Sequence, residues 1–235
     1  MAQPLPHDTI QPARSRLRYD IALLAGLIPV ALATYLCIGH LDTTISLAVR
    51  RYLFVSKAWS RHTSSIPDAL LILVVFITVG AYVRYRHKIS RNEIDIAAFT
   101  YKMLAITAPA SFIAKSITKY AFGRVTTREW LLAPNEYGFH WFSGEDRYTG
   151  FPSGHMAVFA ALIAVLWRLH PRYRPAYLAF LLLLALALIA TNYHFLSDVI
   201  AGTYLGLLVE AFTCCLMCRD GRFQTLPKAS HGEHT

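Results

Sequence analysis

The chain has 235 residues, of which 55% are hydrophobic and 16% are charged, and its formal net charge is +9. A soluble domain carries about 25% charged residues, so this composition excludes a disordered chain and favours a protein with membrane spans. Four cysteines in this length also exclude a disulfide scaffold.

Six apolar segments are predicted to be transmembrane helices, because a span needs about 20 mostly apolar residues. Ile21–Gly39 carries no charged residue and no polar stripe, which distinguishes it from a helix of a soluble core. It also begins too far into the chain, and lacks the small-residue site, for a cleavable signal peptide. The predicted spans are Ile21–Gly39, Ala69–Val83, Ile96–Ile117, Ser153–Leu169, Ala176–Tyr193 and Val199–Met217.

The predicted fold is therefore all-α, a polytopic membrane helix bundle over residues 21–218 with six transmembrane helices. Residues 1–20 would form an N-terminal cytoplasmic segment and residues 219–235 a cytoplasmic tail. Lys and Arg concentrate on the cytoplasmic side of membrane proteins, and four basic clusters fall on one side of this layout. These clusters are Arg14–Arg18, Arg84–Arg91, Arg168–Arg174 and Arg219–Lys228.

One basic segment lies on the opposite side of this layout. It includes Arg50, Arg51, Lys57 and Arg61 among apolar and aromatic residues. An interfacial amphipathic helix over residues 44–60 would explain the pattern, and the alternative is an inverted topology. We interpret the +9 charge as membrane topology and attraction to anionic lipid headgroups, and expect no nucleic-acid partner.

The chemistry-bearing residues fall in two outside segments, a long loop over residues 118–152 and a short one, Thr191–Ser197. At the end of the long loop, Ser153 is predicted to cap a helix whose free N–H groups favour an anion. Gly154 allows a ligand to approach the backbone, and His155 is placed to donate a proton. The alternative interpretation is an ordinary capped helix with an interfacial histidine.

The second segment contains His194 and Asp198, which are four residues apart and so share one helical face. A carboxylate on one imidazole nitrogen fixes the tautomer and makes the other nitrogen more nucleophilic. The alternative is that Asp198 only caps the helix and His194 is an interfacial aromatic residue.

Two cations, Lys119 and Arg124, end the third predicted span on the same side and together can hold a phosphate, unless they only snorkel. A nucleophile, an acid and a cationic clamp are what phosphoryl transfer needs. Two histidines and an aspartate are also zinc ligand types, but the two cations would repel a metal. The sequence therefore predicts a phosphate site with no metal and no cofactor.

The motifs resemble the three signature motifs of the type 2 phosphatidic acid phosphatase superfamily, which includes lipid phosphatases, glucose-6-phosphatase and vanadium haloperoxidases. They are KYAFGR at 119–124, FPSGH at 151–155, and HFLSD at 194–198 followed by VIAG. The resemblance implies that His194 attacks phosphorus to form a phosphohistidine and that Asp198 supports it. It implies that His155 protonates the leaving alcohol.

The same resemblance implies that Lys119, Ser153 and the backbone of Gly154 hold phosphate oxygens. The chain departs from the family pattern at two places. Thr126 and Thr127 stand where the first motif has Arg-Pro, and Leu188 stands where the third motif has an arginine six residues before the histidine.

Several side chains are candidates to replace the missing arginine at position 188. We expect Arg124 to bind phosphate, with Arg128 and then Arg147 as further candidates from the long loop, and Asn192 as a weaker donor. The alternative is that the loss of this arginine leaves the protein impaired.

The sequence thus predicts an integral membrane phosphatase that hydrolyses a lipid phosphate or diphosphate at the outer membrane face. Its partners would be the lipid substrate and the membrane, in a layout typical of a bacterial inner membrane with the site facing the periplasm or exterior. Two alternatives remain: a lipid phosphotransferase on the same scaffold, and an impaired lipid-binding protein.

Overall fold

The computed structural model describes residues 13–53 and 66–218, and most of these are helical. The helices are α1 (Ala13–Leu36), α2 (Asp42–Leu53), α3 (Ile66–Ser90), α4 (Ile96–Phe122), α5 (Thr127–Leu132), α6 (Gly154–Leu169), α7 (Arg174–Ala190) and α8 (Leu196–Cys218). A π-helical turn, Cys37–Leu41, joins α1 to α2. Within the described ranges the extended structure is a single isolated bridge between Arg124 and Phe139. The predicted all-α class is confirmed.

Four helical segments are long and apolar enough to cross a membrane, namely Ile21–Tyr52, Ile96–Phe122, Pro171–Ala190 and Leu196–Met217. They correspond to the first, third, fifth and sixth predicted spans. The second prediction falls inside α3, and the fourth consists of α6, which has 16 residues, and its N-cap Ser153. The first segment is longer than expected because the helix continues past Gly39 through the π turn into α2.

Parts of the other predictions lie outside the described residues. Helix α2 covers the beginning of the predicted interfacial helix, 44–60, and the structure does not describe residues 54–60. Helix α1 already begins at Ala13, inside the predicted segment 1–20, of which 1–12 are not described. The predicted tail, 219–235, also lies outside the described residues.

Helices α4, α6 and α8 pack against one another and form the centre of the bundle. The contact between α6 and α8 is the closest, because two glycines one turn apart on α8 face the backbone of α6. A Cβ at Gly202 would lie 2.4 Å from the Ser153 carbonyl oxygen, and a Cβ at Gly206 would lie 2.4 Å from that of Ala157. Small residues at this spacing let helix backbones approach closely in membranes. The close approach brings the N-terminal ends of α6 and α8 together.

The periphery of the bundle is apolar. Helix α3 packs on α4, α1 on α8 and α7 on α6, while many large side chains of these outer helices remain exposed. Examples are Ile28, which is 76% exposed, and Phe76, which is 71% exposed. In water such surfaces would drive association, whereas in a bilayer they contact lipid tails.

An ion pair joins the C-terminal end of α6 to the C-terminal half of α8. Arg168 donates from Nε to Glu210 Oε1 at 2.8 Å and from an Nη to Glu210 Oε2 at 2.9 Å. Glu210 is fully buried. This two-point geometry compensates the burial of the carboxylate and fixes the relative register of the two helices.

Replacement of Gly206 by Ala should destabilise the bundle, because the new methyl group would lie 2.4 Å from a backbone oxygen that cannot move independently. We expect a loss of about 1–3 kcal/mol of stability, the usual cost of overpacking. Gly80→Ala on α3 is the matched control, since a Cβ there meets nothing within 4 Å. The measurement is thermal unfolding in detergent; equal midpoints for the two variants would contradict the close packing.

Candidate active site

Two helix N-termini form the base of the site. Ser153 caps α6, as predicted, by accepting a hydrogen bond from the Met156 N–H at 3.4 Å. The Ser153 N–H in turn donates to the Asp198 carbonyl oxygen at 2.9 Å. Helix dipoles and unpaired N–H groups at such ends favour an anion. The start of α6 therefore offers a positive surface to an anion, whereas the start of α8 already receives the carboxylates of Asp42 and Asp198.

The turn between α7 and α8 carries His194 inward. Asn192 adopts a left-handed conformation with φ of 48°, and the N–H groups of Tyr193 and His194 donate to the Leu188 carbonyl at 2.9 and 3.3 Å. The Asn192 amide donates to the Ser46 carbonyl oxygen at 3.1 Å, which ties this turn to α2. Its amide group thus binds backbone, whereas the sequence suggested it as a weak phosphate donor.

The two predicted histidines come together across a gap. The ring centroids of His155 and His194 are 6.2 Å apart, with the Tyr193 ring 5.3 Å from the first and 5.2 Å from the second. Both histidines are buried. The two imidazoles are therefore close enough for one phosphoryl group to contact both, since reacting atoms approach to about 3–3.5 Å before bond formation.

Asp198 lies beside His194, as the four-residue spacing predicted. The distance from His194 Nδ1 to Asp198 Oδ2 is 3.6 Å, an ion-pair distance slightly longer than a hydrogen bond. Burial lowers the pKa of His194 below its ordinary value, although the adjacent Asp198 acts in the opposite direction. The imidazole is therefore neutral at neutral pH, the form in which its nitrogen is a nucleophile.

Arg124 is completely buried between two carboxylates. One terminal nitrogen donates to Asp198 Oδ1 at 2.6 Å, and the other donates to Asp42 Oδ2 at 2.8 Å. The same two nitrogens also donate to Ser197 Oγ at 2.6 Å and to the Tyr137 hydroxyl at 2.9 Å. Burial removes a group from water, and only this dense set of partners compensates a buried guanidinium.

Aromatic rings enclose the same guanidinium. Its central carbon lies 4.5 Å from the Phe195 ring centroid and 5.4 Å from those of Tyr137 and Phe139. The sequence predicted Arg124 to bind phosphate. In the structure both of its terminal nitrogens donate to protein groups and link Asp42 to the start of α8, and phosphate binding by Arg124 stays a prediction.

Asp42 completes this network from α2. Its carboxylate accepts from the Ser197 N–H at 3.0 Å and also from the Ser197 hydroxyl, and so it caps α8 from a different helix. The two carboxylate oxygens of Asp198 have different partners. Oδ1 accepts from Arg124, and Oδ2 accepts from the Phe195 N–H at 3.0 Å. The carboxylate beside His194 is thus fixed in position by three elements.

The position of the missing arginine is filled by apolar packing. Leu188 is buried against Met156 and Val199. Arg147, another predicted substitute, pairs with Glu136 within the long loop. The long loop begins at Gly123, the C-cap of α4. Gly123 has a φ of +56°, and a Cβ there would lie only 1.8 Å from the His140 carbonyl oxygen, so this position requires glycine.

Within the described part of the chain, three further cations lie near the two helix ends, namely Lys119, Lys115 and Arg128. The Lys119 ammonium donates to the Thr149 carbonyl oxygen. Lys115 approaches the position of Gly154, where a Cβ would lie 2.9 Å from its Cδ. The Arg128 guanidinium lies 4.8 Å from the centroid of Tyr193, the ring that contacts both histidines.

Sequence reasoning missed Asp42, Tyr137 and Lys115 as members of the site. The sequence does contain one indication for Asp42. It follows an uncharged apolar segment, and ionisable residues at membrane depth are often functional. Nothing local indicates that Asp42 meets Arg124, which is 82 residues away. Among the residues described, no three His, Cys, Asp or Glu side chains converge in the way that a metal ion requires.

The family model of the PAP2 superfamily matches residues 98–221, more than half of the chain. The chain belongs to the PAP2 superfamily. The match includes every predicted catalytic and phosphate-binding residue, whereas Asp42 lies outside it. The network that holds the PAP2 site therefore uses a residue from a helix that the family pattern does not cover.

Two curated proteins are similar to this PAP2 chain. A lipid A 1-phosphatase from Rhizobium johnstonii is 29% identical over 171 residues, which cover 72% of this chain and 66% of the relative. A lipid A 1-phosphatase from Rhizobium etli is 29% identical over 153 residues, 64% of each chain. The chain thus spans slightly less than two thirds of the length of these relatives. No solved structure matches it significantly.

Replacement of Asp42 by Asn should impair both stability and turnover. The variant leaves Arg124 with Asp198 as its single carboxylate partner, which draws that carboxylate away from His194. Arg124 stays paired with Asp198, so the expected cost is that of one charge-assisted hydrogen-bonding partner, about 1.5–3 kcal/mol, together with a lower kcat. The measurement is thermal unfolding and kcat in detergent.

Asp146→Asn is the matched control for this variant, since Asp146 is an exposed residue of the long loop. It should leave both quantities unchanged. A stable Asp42→Asn protein with normal kcat would contradict the supporting role of Asp42.

Proposed function

We propose that this protein is an integral membrane phosphatase that hydrolyses a lipid phosphate. The observation that carries the proposal is the pair of histidines 6.2 Å apart, one of them beside a fixed carboxylate, at two helix N-termini. Membership of the PAP2 superfamily and the similarity to two lipid A 1-phosphatases support a lipid phosphatase.

In the first half-reaction His194 attacks phosphorus. Its lone pair forms the P–N bond as the P–O bond to the lipid breaks, and the leaving oxygen takes a proton from His155. The products are the dephosphorylated lipid alcohol and a phosphohistidine at His194. Asp198 stabilises the positive charge that develops on the attacking imidazole.

In the second half-reaction water replaces the lipid alcohol. His155, now neutral, accepts a proton from water as its oxygen attacks phosphorus, and the P–N bond breaks to release inorganic phosphate and neutral His194. Lys119, Ser153, the Gly154 N–H and Arg128 would hold the non-bridging oxygens in both steps. Arg124 would act through Asp198, as a positioning residue.

The substrate is proposed to be a phosphate monoester on a membrane lipid, with lipid A 1-phosphate as the first candidate because both curated relatives are lipid A 1-phosphatases. The site lies at the ends of apolar helices, where a headgroup would meet it without leaving the bilayer. The relatives and the apolar helices favour a bacterial membrane.

The finer topology is also part of the proposal. We infer six spans, with α3 and α6 added to the four long apolar segments. With six spans, the basic clusters favour cytoplasmic termini, and the histidines would then lie at the periplasmic or exterior face.

Phosphate release by purified protein in detergent tests the proposal. We expect release from at least one lipid in a panel of lipid A, phosphatidate, phosphatidylglycerophosphate and an isoprenyl diphosphate, and undiminished release in the presence of a chelator. His194→Ala should abolish it, whereas His87→Ala on α3 should not. Release that persists in His194→Ala would refute the mechanism, and transfer to a second lipid in place of free phosphate would identify a transferase.

The pH dependence of kcat/KM gives a separate prediction. Protonated His194 cannot attack phosphorus, and burial lowers its pKa from the ordinary value of 6.5. The neutral, active form therefore persists below pH 6.5, and activity is lost only as the pH falls through the lowered pKa. We expect the acid limb of kcat/KM to lie below pH 6.5; an acid limb at pH 7 or above would contradict a buried, neutral nucleophile.

A further inference from the structure

The phosphate site has lost the arginines that its motifs would supply. Leu188 is packed in an apolar cluster, and Thr126 serves as the N-cap of α5 by accepting from the Glu129 N–H. Arg124 is engaged by two carboxylates. A phosphate monoester carries about two negative charges near neutral pH, so a site built to hold it needs other cations.

Lys115 lies where such a cation is needed. It is on α4, one turn before Lys119, so both side chains project from the same helix face. An ideal Cβ at Gly154 would lie 2.9 Å from Lys115 Cδ, 3.6 Å from Lys115 Nζ and 3.4 Å from Lys119 Cε. The two lysines therefore flank the first residue of α6, at the end where an anion is favoured.

The surroundings of Lys115 leave its charge uncompensated. The side chain is half-buried, and among the described residues no carboxylate forms an ion pair with it. The nearest partner in the structure is the Phe112 ring, whose centroid is 3.9 Å from Nζ. A lysine that only anchors the helix would extend to the lipid headgroups, as the exposed Tyr120 and Ile117 beside it face outward.

We propose that Lys115 binds the phosphate of the substrate and, with Lys119, supplies the positive charge that arginines provide in the family motifs. This inference rests on the proposed function. The two ammonium groups act as point charges on different non-bridging oxygens, while the Gly154 N–H donates from the helix end. The absence of a side chain at Gly154 gives Lys115 the space to reach this position.

The test compares Lys115→Met, Lys115→Arg and a control, Lys102→Met. Lys102 is on the same helix, about 20 Å from Lys115 along the axis, where its Nζ lies 5.9 Å from the Tyr85 ring centroid. We expect Lys115→Met to lower kcat/KM by about 10- to 100-fold, the usual effect of losing one charge-assisted hydrogen bond. Lys115→Arg should keep most of the activity, and Lys102→Met should match the parent protein.

Inorganic phosphate is the probe that separates binding from a structural effect. Its inhibition constant, or its dissociation constant by calorimetry with His194→Ala protein, should rise at least tenfold in Lys115→Met and stay unchanged in Lys102→Met. An unchanged phosphate affinity in a folded Lys115→Met protein would overturn the proposal. Parent protein that binds phosphate but hydrolyses no lipid would overturn the proposed function while leaving Lys115 as an anion ligand.

Gly154→Ala provides a second, independent measurement. The added methyl would lie 2.9 Å from Lys115 Cδ and displace that side chain without meeting backbone. In the parent protein it should weaken phosphate binding, and in the Lys115→Met background it should cost much less, because the ammonium group that the methyl would displace is already absent. Equal losses in both backgrounds would show that Lys115 does not lie against the bound phosphate.

Discussion

The structure depends on one buried guanidinium. Arg124 lies between Asp42 and Asp198 with no exposed surface, and it links the first membrane helix, the long loop and the last helix. Removing three charges from water costs several kcal/mol for each ion, and the mutual hydrogen bonds repay that cost only in one geometry. The requirement for that geometry fixes where α8 begins, and hence where Asp198 and His194 lie.

The different positions of Arg124 and the lysines of α4 follow from this constraint. Arginine forms planar two-point contacts with carboxylates and keeps its charge when buried, which suits Arg124 to the interior. Lysine presents a single charge on a flexible stem, and the lysines of α4 approach the helix end at Gly154. The site thus separates a rigid internal ion network, which holds Asp198 beside His194, from the cations proposed to meet the phosphate.

Much of the architecture could be predicted because local physics decides it. Membrane helices follow from run length, the Ser153 cap follows from side-chain chemistry, and the pairing of His194 with Asp198 follows from helical spacing. The burial of Arg124 between two carboxylates could not be predicted in this way. Its partner Asp42 is 82 residues away in the sequence. The hydrophobic pattern of the sequence does not indicate which arginine is buried in an ion network and which stays near the substrate.

A double-mutant cycle between Asp42 and Arg124, read on kcat and KM, tests the central claim most directly. Arg124→Gln alone leaves two buried carboxylates without their cation, whereas Asp42→Asn with Arg124→Gln leaves Asp198 as the one carboxylate of this cluster. If Arg124 positions the nucleophile, the double variant should be less impaired in kcat than the sum of the single effects predicts. The contrary result is that the losses in kcat are additive and that the double variant shows the same rise in KM as Arg124→Gln alone. That result would show that Arg124 binds the phosphate.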